Sequence, residues 1–445
     1  YLQYPREVFS TVIASKPVEF SVFSLAALGL AWWVARWMRR DPFAQRRVSP
    51  WFALAALPLV ALLMFALIRS TTAHRPVNPS NAAFSQDSMV NQLPLNSPYS
   101  VLYAIEERRG EAANERIRYG QMEDSEVLEV VLREAGISAA DQLDPENRPT
   151  LHRQTATVRR DEPLNLVIVL LESQGATYVG SLGGKDLTPN LDSLQDDSIW
   201  FERLYATGIR SARGIEAVIT GFTPSPRTNA VKRSDTQTGF FTLPTLLSEK
   251  GYHTSFIYGG ESHFDNMRRF FLNNGFQEVV DRHDYENPVF EGSWGVSDED
   301  LYALAHEKLS GRGDEPFFSL IFTTSHHEPF EYPPGRVTDS EYGPRESSIK
   351  YADYALGQFL EQARNSDYWE NTVFMIVADH NAKTFGEKYV PVRKFRIPGA
   401  IIGPTIEPRR ISGISSQIDI VPTLLSLIGV DSVHPASGRD RTRPE

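Results

Sequence analysis

The 445-residue sequence contains no cysteine, which excludes a disulfide framework and any site built on a thiolate. Basic residues are also scarce relative to acidic ones: Lys and Arg total 45 against 56 Asp and Glu, for a net charge of −11 at pH 7. Proteins that bind nucleic acid usually present a basic face, so this balance argues against that class. At roughly 150 residues per domain, the length predicts more than one domain.

The two ends of the sequence lack familiar boundaries. The first residue is Tyr1 rather than Met, and the last residues, Arg443-Pro444-Glu445, follow no evident closing element. We therefore expect a segment of a longer protein, in which residues 431–445 are a truncated C-terminal segment.

Two long apolar runs predict transmembrane helices within residues 1–69. Phe20 to Met38 contains one charge, Arg36, and Trp51 to Ile68 contains none. Each run is close to the length that a helix needs to cross about 30 Å of hydrocarbon. Tryptophans cluster toward the loop between the runs, as in an interfacial aromatic belt. A pair of buried core helices is the alternative interpretation.

The loop between the two runs predicts their orientation. Arg36 to Arg47 holds five Arg and one Asp, and cytoplasmic loops of membrane proteins carry such an excess of basic residues. The second helix would then place everything after Arg69 outside the cytoplasm. Because a cleaved signal peptide is not followed by a second span of this kind, we expect a multi-pass protein of the inner (cytoplasmic) membrane with a periplasmic, extracytoplasmic catalytic domain.

Residues 70–162 are predicted to form a helical connector outside the membrane. Tyr99 to Arg109 and Asp124 to Ala135 have helical periodicity. Leu143 to Pro163 is polar and interrupted by Pro. We therefore expect a domain boundary near residue 162.

Residues 163–430 predict an α/β catalytic domain. Short apolar runs predict strands at Leu166 to Leu171, Thr254 to Tyr258, Phe317 to Phe322, Val373 to Ala378 and Ala400 to Ile402. Helical patterns lie between them, for example Leu243 to Lys250 and Ser348 to Arg364. This alternation predicts a largely parallel sheet between helices, with the ligand site beyond the carboxyl ends of the strands.

Side chains of the metal-binding type follow two of these strands. Glu172-Ser173 follows the first strand and Asp379-His380 follows the fourth. Carboxylates and an imidazole at one sheet edge suit a divalent metal such as Zn or Mn. Each residue also has a structural interpretation, because Glu172 could cap the next segment and His380 could be a hydrogen-bonded loop histidine. Taken together, the two strand ends favour a metal site.

Four segments, in order along the chain, resemble motifs of the sulfatase and alkaline-phosphatase superfamily. They are TPNLDSL at 188–194, KGYHT at 250–254, VADH at 377–380 and DIVPTLL at 419–425. Each motif alone is of modest specificity, but the ordered set is specific. The resemblance implies a sulfatase-like (alkaline-phosphatase-like) α/β fold.

Within that superfamily, the sequence is similar to the lipoteichoic acid synthases and related phosphoglycerol transferases. The first strand ends in Glu-Ser rather than in the paired Asp of sulfatases, and TGIRSARGIE at 207–216 resembles a TGTRTxRGxE segment of that family. Two membrane helices, a helical connector and an outer catalytic domain match the last part of the family's architecture. The family usually has five spans, which agrees with a truncated N-terminus here.

The resemblance implies that Ser211 is the nucleophile. The superfamily places the reacting residue nine positions before the Thr of a Thr-Gly pair, which is Thr220-Gly221 in this chain. Close relatives usually have Thr at that position, and Thr207 is the alternative nucleophile. Because the chain has no Cys and no SxPSR pattern, formylglycine at Ser211 is not expected, which argues against a sulfatase activity.

The resemblance also implies the cofactor. We expect Glu172, Asp379, His380 and the Ser211 hydroxyl to share one divalent metal ion, Mn²⁺ first, with Zn²⁺ or Mg²⁺ as alternatives. A bound cation would activate the serine hydroxyl, which is a poor nucleophile near neutral pH. Relatives often have a His where Arg396 stands, so a second metal ion is not expected.

Three further residues lie where the family binds phosphate. SHHEPF at 325–330 resembles the family's NHxPF loop, which makes His327 a candidate to hydrogen-bond a phosphoryl oxygen or protonate the leaving group, and His326 a poorer one. Arg210 and Arg213 flank the nucleophile and are expected to bind phosphate oxygens. Ion pairing to Glu216 is the structural alternative for these arginines.

Two residues are expected to bind the substrate headgroup. Asn266 lies in GGESHFDNM at 259–267, which resembles a substrate-side segment of the family. Trp294, in GSWG at 292–295, is expected to line the headgroup pocket, with a core position as the alternative.

The predicted function is transfer of glycerol phosphate from phosphatidylglycerol, an anionic phospholipid, to an extracytoplasmic glycan or polymer acceptor. A covalent phospho-Ser or phospho-Thr intermediate is expected. Phosphoethanolamine transfer, or phosphodiester or sulfate hydrolysis on the same fold, is the alternative activity, although phosphoethanolamine transferases usually contain disulfides. A non-catalytic membrane sensor or scaffold is the third hypothesis, and the retained ligand-type residues count against it.

Overall fold

The structure is a computed structural model that describes residues 25, 28–36, 49–69, 71, 77–96, 98–101, 103–105, 122–225, 228–233, 235–337, 342–382 and 390–443. The chain divides into two compact units, Tyr1–Val77 and Asn78–Glu445. Apart from Arg36, the predicted basic loop lies outside the described residues, and so do the last four residues of the predicted helix Tyr99–Arg109.

The first unit contains helix α1 (Pro50–Arg69), which includes the second of the two apolar runs. Residues 28–36, in the first run, are also helical. Large apolar side chains on both segments, such as Trp33 and Leu62, are exposed. Across the described part of the chain, no helix has the length and apolar character needed to cross a membrane. Both membrane spans therefore stay predictions.

The segment predicted as a connector belongs to the second unit from Asn78 onward. Its helix α2 (Asp124–Ala135) has the predicted bounds, and it ends at Gly136, whose φ of 72° is left-handed. Near the start of the predicted connector, Ser80 Oγ accepts a hydrogen bond from the main-chain N–H of Arg269 at 2.9 Å. The beginning of this segment therefore packs on the α/β domain itself.

The strands of the second unit include the five that the sequence predicts, four of them beginning one residue earlier than predicted. They are β1 (His152–Gln154), β2 (Asn165–Leu171), β3 (Ile199–Phe201), β4 (Leu204–Tyr205), β5 (His253–Tyr258), β6 (Glu278–Val280), β7 (Phe317–Phe322), β8 (Thr372–Ala378), β9 (Arg396–Ile397), β10 (Gly399–Ile402), β11 (Arg409–Ile411), β12 (Ser415–Ser416) and β13 (Ser432–His434).

The large sheet has the strand order β11-β3-β10-β8-β2-β7-β5-β6. The block from β8 to β6 is parallel, as predicted. Strand β10 instead runs antiparallel to both of its neighbours, β8 and β3, so the sheet is mixed. The central strands are continuous buried runs of apolar residues, which is the pattern of strands covered on both faces.

Helices pack with the large sheet in one hydrophobic core. After α2 they are α3 (Pro189–Ser193), α4 (Ser211–Thr220), α5 (Leu243–Glu249), α6 (Met267–Asn273), α7 (Asp298–Ser310), α8 (Pro344–Arg364) and α9 (Ile420–Leu427). The TPNLDSL motif forms the whole of α3 with its two flanking residues. The Asp353 carboxylate accepts from the main-chain N–H groups of Asn190 and Leu191, both at 2.9 Å. That motif thus has a structural role.

Two small sheets complete the second unit. One has the order β12-β4-β9, and the other pairs β1 with β13 in antiparallel register, Gln154 opposite Ser432. Strand β1 lies in the predicted connector and β13 in the predicted C-terminal segment. Segments that precede and follow the α/β domain in the sequence therefore pair with each other.

Candidate metal and nucleophile site

The carboxyl ends of β2 and β8 bring two ligand-bearing segments together. The strands are parallel neighbours, with Leu171 opposite Ala378, so the next residues, Glu172 and Asp379, leave the sheet side by side. One carboxylate oxygen from each and one ring nitrogen of His380 all lie within 4.8 Å of one another, and the three residues are buried. The sequence prediction placed these residues at this edge, and the structure brings them together.

Short hydrogen bonds hold the carboxylates in place. The main-chain N–H groups of Ser173 and His380 both donate to Asp379 Oδ1, at 2.7 and 2.6 Å. Ser173, whose φ of 55° is left-handed, also donates through its hydroxyl to Glu172 Oε1 at 2.6 Å. These contacts fix one oxygen of each carboxylate, and the second oxygen of Asp379 is left for a ligand.

The remaining ligand atoms fit a divalent cation. Asp379 Oδ2 is buried and has no hydrogen-bond partner among the described residues. His380 Nε2 lies 3.5 Å from it, and a buried carboxylate oxygen without a hydrogen bond is costly unless a cation or a proton occupies it. His380 Nδ1 lies 3.0 Å from the main-chain oxygen of Asn381, which orients the ring and leaves Nε2 to bind a metal. Two carboxylates and an imidazole are a ligand set for Mn²⁺ or Zn²⁺.

The electrostatics of the cluster also favour bound positive charge. Burial raises the pKa of Asp379 to about 7, and the negative charge of Glu172 adds to the increase. Burial would likewise raise the pKa of Glu172, but His327 and His380 together lower it below its ordinary value. Two neighbouring buried carboxylates are thus stable as a pair only with a proton or a cation between them.

Ser211 lies at the start of helix α4 and reaches the same cluster. Its hydroxyl donates to Glu172 Oε2 at 3.1 Å. The free N–H groups and the dipole at a helix N-terminus stabilise negative charge there. The arrangement therefore places the hydroxyl of the candidate nucleophile beside the predicted metal ligands and at a helix N-terminus.

Thr207, the alternative nucleophile, lies elsewhere. Its hydroxyl is 3.3 Å from both the main-chain oxygen of Arg213 and Gln417 Oε1, and its N–H donates to the same Gln417 oxygen at 2.9 Å. No hydrogen bond joins the Thr207 hydroxyl to the described carboxylates of the cluster. The geometry thus favours Ser211 over Thr207.

Gln417 is a site residue that the sequence analysis missed. Its side-chain NH₂ group donates to the main-chain oxygens of Ala378 and Asp379, both at 2.8 Å. Because its Oε1 accepts from Thr207, one buried amide connects the end of β8 to the loop that precedes Ser211. Its position next to the DIVPTLL motif marks it as part of the fold but gives no sign of this contact.

The two predicted phosphate-binding arginines differ in their contacts. Arg213 pairs with Glu216 at 2.9 Å and donates to the main-chain oxygen of Ser225 at 2.9 Å. This is the structural alternative that the sequence allowed for Arg213. Arg210 is exposed immediately before Ser211 and keeps its position as a candidate for contact with phosphate.

An aromatic group lies at the mouth of the site. The ring of His327 lies against Trp294, with centroids 3.5 Å apart, and Trp294 Nε1 donates to the main-chain oxygen of Glu328 at 2.7 Å. Phe264 meets the same indole edge-on at 5.8 Å. Trp294 is only half-buried, which suits a surface that a substrate can contact better than it suits a core position.

Three other residues of the predicted site are turned inward or away. Asn266 is buried, and its amide donates to the main-chain oxygen of Lys232 at 3.1 Å. His326 is buried with its Nδ1 3.1 Å from the main-chain oxygen of Glu172, and burial lowers the pKa of this imidazole to about 4. Arg396 donates to the main-chain oxygens of Glu202 and Leu182.

A single group of three ligand residues is found in the described part of the chain. A serine hydroxyl beside such a group, beyond the carboxyl ends of parallel strands, is an arrangement typical of metal-dependent phosphate- or sulfate-ester enzymes. The sulfatase family model matches residues 164–430, and the chain belongs to this family.

Two solved structures are similar to this chain. The chain is similar to a protein of the alkaline phosphatase superfamily from Vibrio parahaemolyticus, with 52% identity and a TM-score of 0.70 over 74% of this chain and 80% of that one. The lipoteichoic acid synthase of Listeria monocytogenes has the same fold, with 24% identity and a TM-score of 0.58 over 70% of this chain and 81% of that one.

Curated relatives carry names of the predicted family. A lipoteichoic acid synthase-like protein of Bacillus subtilis is 24% identical over 295 residues, which are 60% of this chain and 48% of the relative. Phosphoglycerol transferase I of Xanthomonas euvesicatoria is 27% identical over 285 residues, 59% of this chain and 40% of the relative. The predicted resemblance is confirmed. The chain spans about half or less of the length of the curated relatives it matches.

Proposed function

We propose that the protein transfers glycerol phosphate from an anionic phospholipid, phosphatidylglycerol, to a glycan or polymer acceptor outside the cytoplasm. The observation that carries the proposal is the hydrogen bond from Ser211 Oγ to Glu172 within the buried cluster. The names of the curated relatives support glycerophosphate transfer over other reactions of the same fold.

The first half of the reaction uses Ser211 and His327. Ser211 Oγ attacks the phosphorus of the lipid, the bond from phosphorus to the diacylglycerol oxygen breaks, and glycerophospho-Ser211 forms. The Ser211 proton leaves toward Glu172 Oε2, which already accepts its hydrogen bond. The leaving diacylglycerol oxygen takes a proton from His327, which the Trp294 ring holds at the mouth of the site.

The second half reverses these roles. An acceptor hydroxyl gives its proton to His327 and attacks the same phosphorus. The bond from phosphorus to Ser211 Oγ breaks, and the serine oxygen takes its proton back from Glu172 Oε2. Water in place of the acceptor would give hydrolysis.

Glu172, Asp379 and His380 are the residues that would hold the cofactor. A divalent cation bound there would neutralise phosphoryl charge and lower the pKa of the Ser211 hydroxyl. We expect Mn²⁺, with Zn²⁺ or Mg²⁺ as alternatives, and we place the catalytic unit on the extracytoplasmic side of the membrane.

The test uses the purified chain with Mn²⁺ and fluorescent phosphatidylglycerol, and follows diacylglycerol release. Phosphatidylethanolamine and an aryl sulfate serve as parallel substrates. The proposal predicts release from phosphatidylglycerol, loss of release in Ser211→Ala, and retention in Thr207→Ala. Turnover of phosphatidylethanolamine or the aryl sulfate in its place would assign a different substrate.

A further inference from the structure

Helix α7 begins against the loop that follows β7 and carries His327. Asp298, the first residue of α7, is fully buried. Its Oδ1 accepts from the main-chain N–H groups of Thr324 and Ser325, at 3.0 and 3.1 Å. In return, the main-chain N–H of Asp298 donates to Ser325 Oγ at 3.1 Å. The start of α7 and the loop after β7 therefore exchange hydrogen bonds in both directions.

Thr324 connects these bonds to His327. The main-chain N–H of His327 donates to the carbonyl oxygen of Thr324 at 3.0 Å, which closes a turn over residues 324–327. Thr324 Oγ1 also donates to the main-chain oxygen of Val296 at 2.9 Å. The residue that receives the His327 N–H is thus itself bonded twice to the start of α7, once through Asp298 and once through Val296.

The start of the same loop is bonded to the candidate metal site. The main-chain N–H of Glu172 donates to Thr323 Oγ1 at 2.9 Å, and His326 Nδ1 lies 3.1 Å from the main-chain oxygen of Glu172. Glu172 therefore fixes the beginning of the loop beside the cluster. Asp298 fixes the turn that follows, from which His327 extends to Trp294.

A buried carboxylate is well suited to hold this turn. Burial raises the pKa of Asp298 to about 6, so the carboxylate is ionised at neutral pH. Hydrogen bonds to an ionised acceptor are about twice as strong as those between neutral groups. The first turn of a helix also stabilises negative charge. The charge of Asp298 therefore strengthens the bonds to Thr324 and Ser325.

We propose that Asp298 is a positioning residue for His327. Its carboxylate holds the turn 324–327 so that the imidazole lies against Trp294 and reaches the leaving oxygen of the donor. The inference rests on the proposed transfer reaction, in which His327 protonates the diacylglycerol oxygen. Asp298 itself exchanges no proton with the substrate and acts only through the turn.

The first test compares two leaving groups in the full chain with Mn²⁺. Diacylglycerol needs a proton from His327 to leave, whereas 4-nitrophenolate is a stable anion and leaves without one. The substrates are fluorescent phosphatidylglycerol and the 4-nitrophenyl ester of glycerol phosphate. Both form the same glycerophospho-Ser211, and rapid mixing with enzyme in excess isolates that step.

We expect Asp298→Ala to slow release of diacylglycerol by about tenfold, which is less than the hundredfold or more that a general acid contributes. Release of 4-nitrophenolate should change by less than about twofold, because it needs no proton from His327. Equal losses with the two substrates would contradict the proposal, since a general disturbance of the fold affects both.

Two variants serve as matched controls. Asp353→Ala removes another buried carboxylate that accepts from two consecutive main-chain N–H groups, those of Asn190 and Leu191. It should not slow the lipid more than the nitrophenyl ester. Asp298→Asn keeps an oxygen that can accept from the turn, so it should release diacylglycerol within about threefold of the parent. A selective loss of lipid turnover in Asp353→Ala would overturn the assignment.

A double-substitution cycle tests whether Asp298 acts through His327. With His327→Gln already present, Asp298→Ala should cause no further loss of diacylglycerol release, because the proton donor is gone. A further tenfold loss in that background would contradict the proposal. If Asp298→Ala does not fold, Thr324→Val removes only the hydroxyl bond to Val296. It should slow the lipid alone, and equal slowing of both substrates again counts against Asp298.

The last test needs no turnover. Because the imidazole of His327 lies 3.5 Å from the Trp294 ring, its proton signals should be shifted by the ring current of the indole. In protein with isotope-labelled histidine, the shifted signal is assigned by its loss in His327→Gln. Asp298→Asn and Asp353→Ala should keep the shift, and Asp298→Ala should lose it. An unchanged shift in Asp298→Ala overturns the proposal. If the parent releases nothing from either substrate, the proposed function fails, whereas the shift still decides whether Asp298 positions His327.

Discussion

Gly214 lies against the main chain of Asp379, the buried carboxylate of the candidate metal site. A β-carbon at Gly214 would be 2.5 Å from the Asp379 carbonyl oxygen and 2.7 Å from its α-carbon. Helix α4 can therefore place Ser211 beside Glu172 only because residue 214, one turn along, has no side chain. The candidate nucleophile Ser211 and the candidate ligand Asp379 are therefore positioned relative to each other through this close approach.

We predict that Gly214→Ala separates the start of α4 from Asp379 and abolishes lipid turnover. The displaced atoms are main-chain atoms, which cannot rotate out of the way as a side chain would. The control is Gly311→Ala, where the nearest atom to the new β-carbon is 3.4 Å away. Diacylglycerol release and thermal melts check both variants. An active Gly214→Ala enzyme would show that the contact does not position the site.

Gln417→Leu should impair both stability and turnover. The change leaves the main-chain oxygens of Ala378 and Asp379 without their side-chain donor. Unsatisfied buried groups cost about 1–3 kcal/mol each, so for these two oxygens we expect the free energy of unfolding to fall by about 2–6 kcal/mol. The control Gln142→Leu removes one bond from a Gln side chain to the Pro149 oxygen. Equal chemical-denaturation curves for parent and Gln417→Leu would contradict this account.

The contact between Trp294 and His327 predicts that substitutions of Trp294 raise the KM for phosphatidylglycerol to different extents. Trp294→Ala frees the imidazole, and we expect KM for phosphatidylglycerol to rise about tenfold, equivalent to about 1.4 kcal/mol. Trp294→Phe keeps an aromatic surface and loses the hydrogen bond to Glu328, so a smaller increase is expected. Steady-state kinetics of the parent and the two variants check this prediction. Identical KM values for all three proteins would show that Trp294 does not bind phosphatidylglycerol.

We predict that the free energy of unfolding falls as the pH is lowered, because of the buried His434. Burial lowers the pKa of His434 to about 3, from an ordinary value of 6.5, and the nearby His152 adds to the decrease. The unfolded chain then binds a proton that the folded chain excludes. The contribution of the neutral, buried His434 to the free energy of unfolding is complete above pH 6.5. It falls by about 2 kcal/mol by pH 5.

His434→Phe should flatten this pH dependence, because the buried titrating group is gone. It also loses the hydrogen bond to Gln154 Oε1, so we expect lower stability at neutral pH. The exposed substitution His283→Gln is the control and should keep the parent's profile. A parent whose melting temperature does not change between neutral pH and pH 5 would contradict the prediction.

Local patterns predicted the parts of the site that depend on strand ends. Glu172 and Asp379 follow long apolar runs, and parallel strands must bring such residues to one edge. The reversal of β10 could not be predicted, because an apolar run of four residues carries no direction. The sequence analysis did not name helix α7, although Ser297 followed by three acidic residues, Asp298, Glu299 and Asp300, is the pattern of a capped helix start.

Contacts between segments that are distant in the sequence could not be predicted from local patterns. Gln417 reaches the end of β8 across 38 residues, and nothing in its neighbours indicates a partner. For Arg213 the sequence left two roles open, phosphate binding and ion pairing to Glu216, and the structure pairs it with Glu216 while Ser211 lies at the cluster. Which side chain faces the site depends on packing that no local pattern specifies.

The central claim, a covalent glycerophosphate on Ser211, is tested most directly by mass spectrometry. The chain is mixed with phosphatidylglycerol and Mn²⁺ without acceptor, quenched in acid and digested. We predict one added glycerophosphate on the peptide that contains Ser211, and neither the adduct nor diacylglycerol release in Ser211→Ala. An adduct on Thr207, or continued diacylglycerol release by Ser211→Ala, would contradict the account.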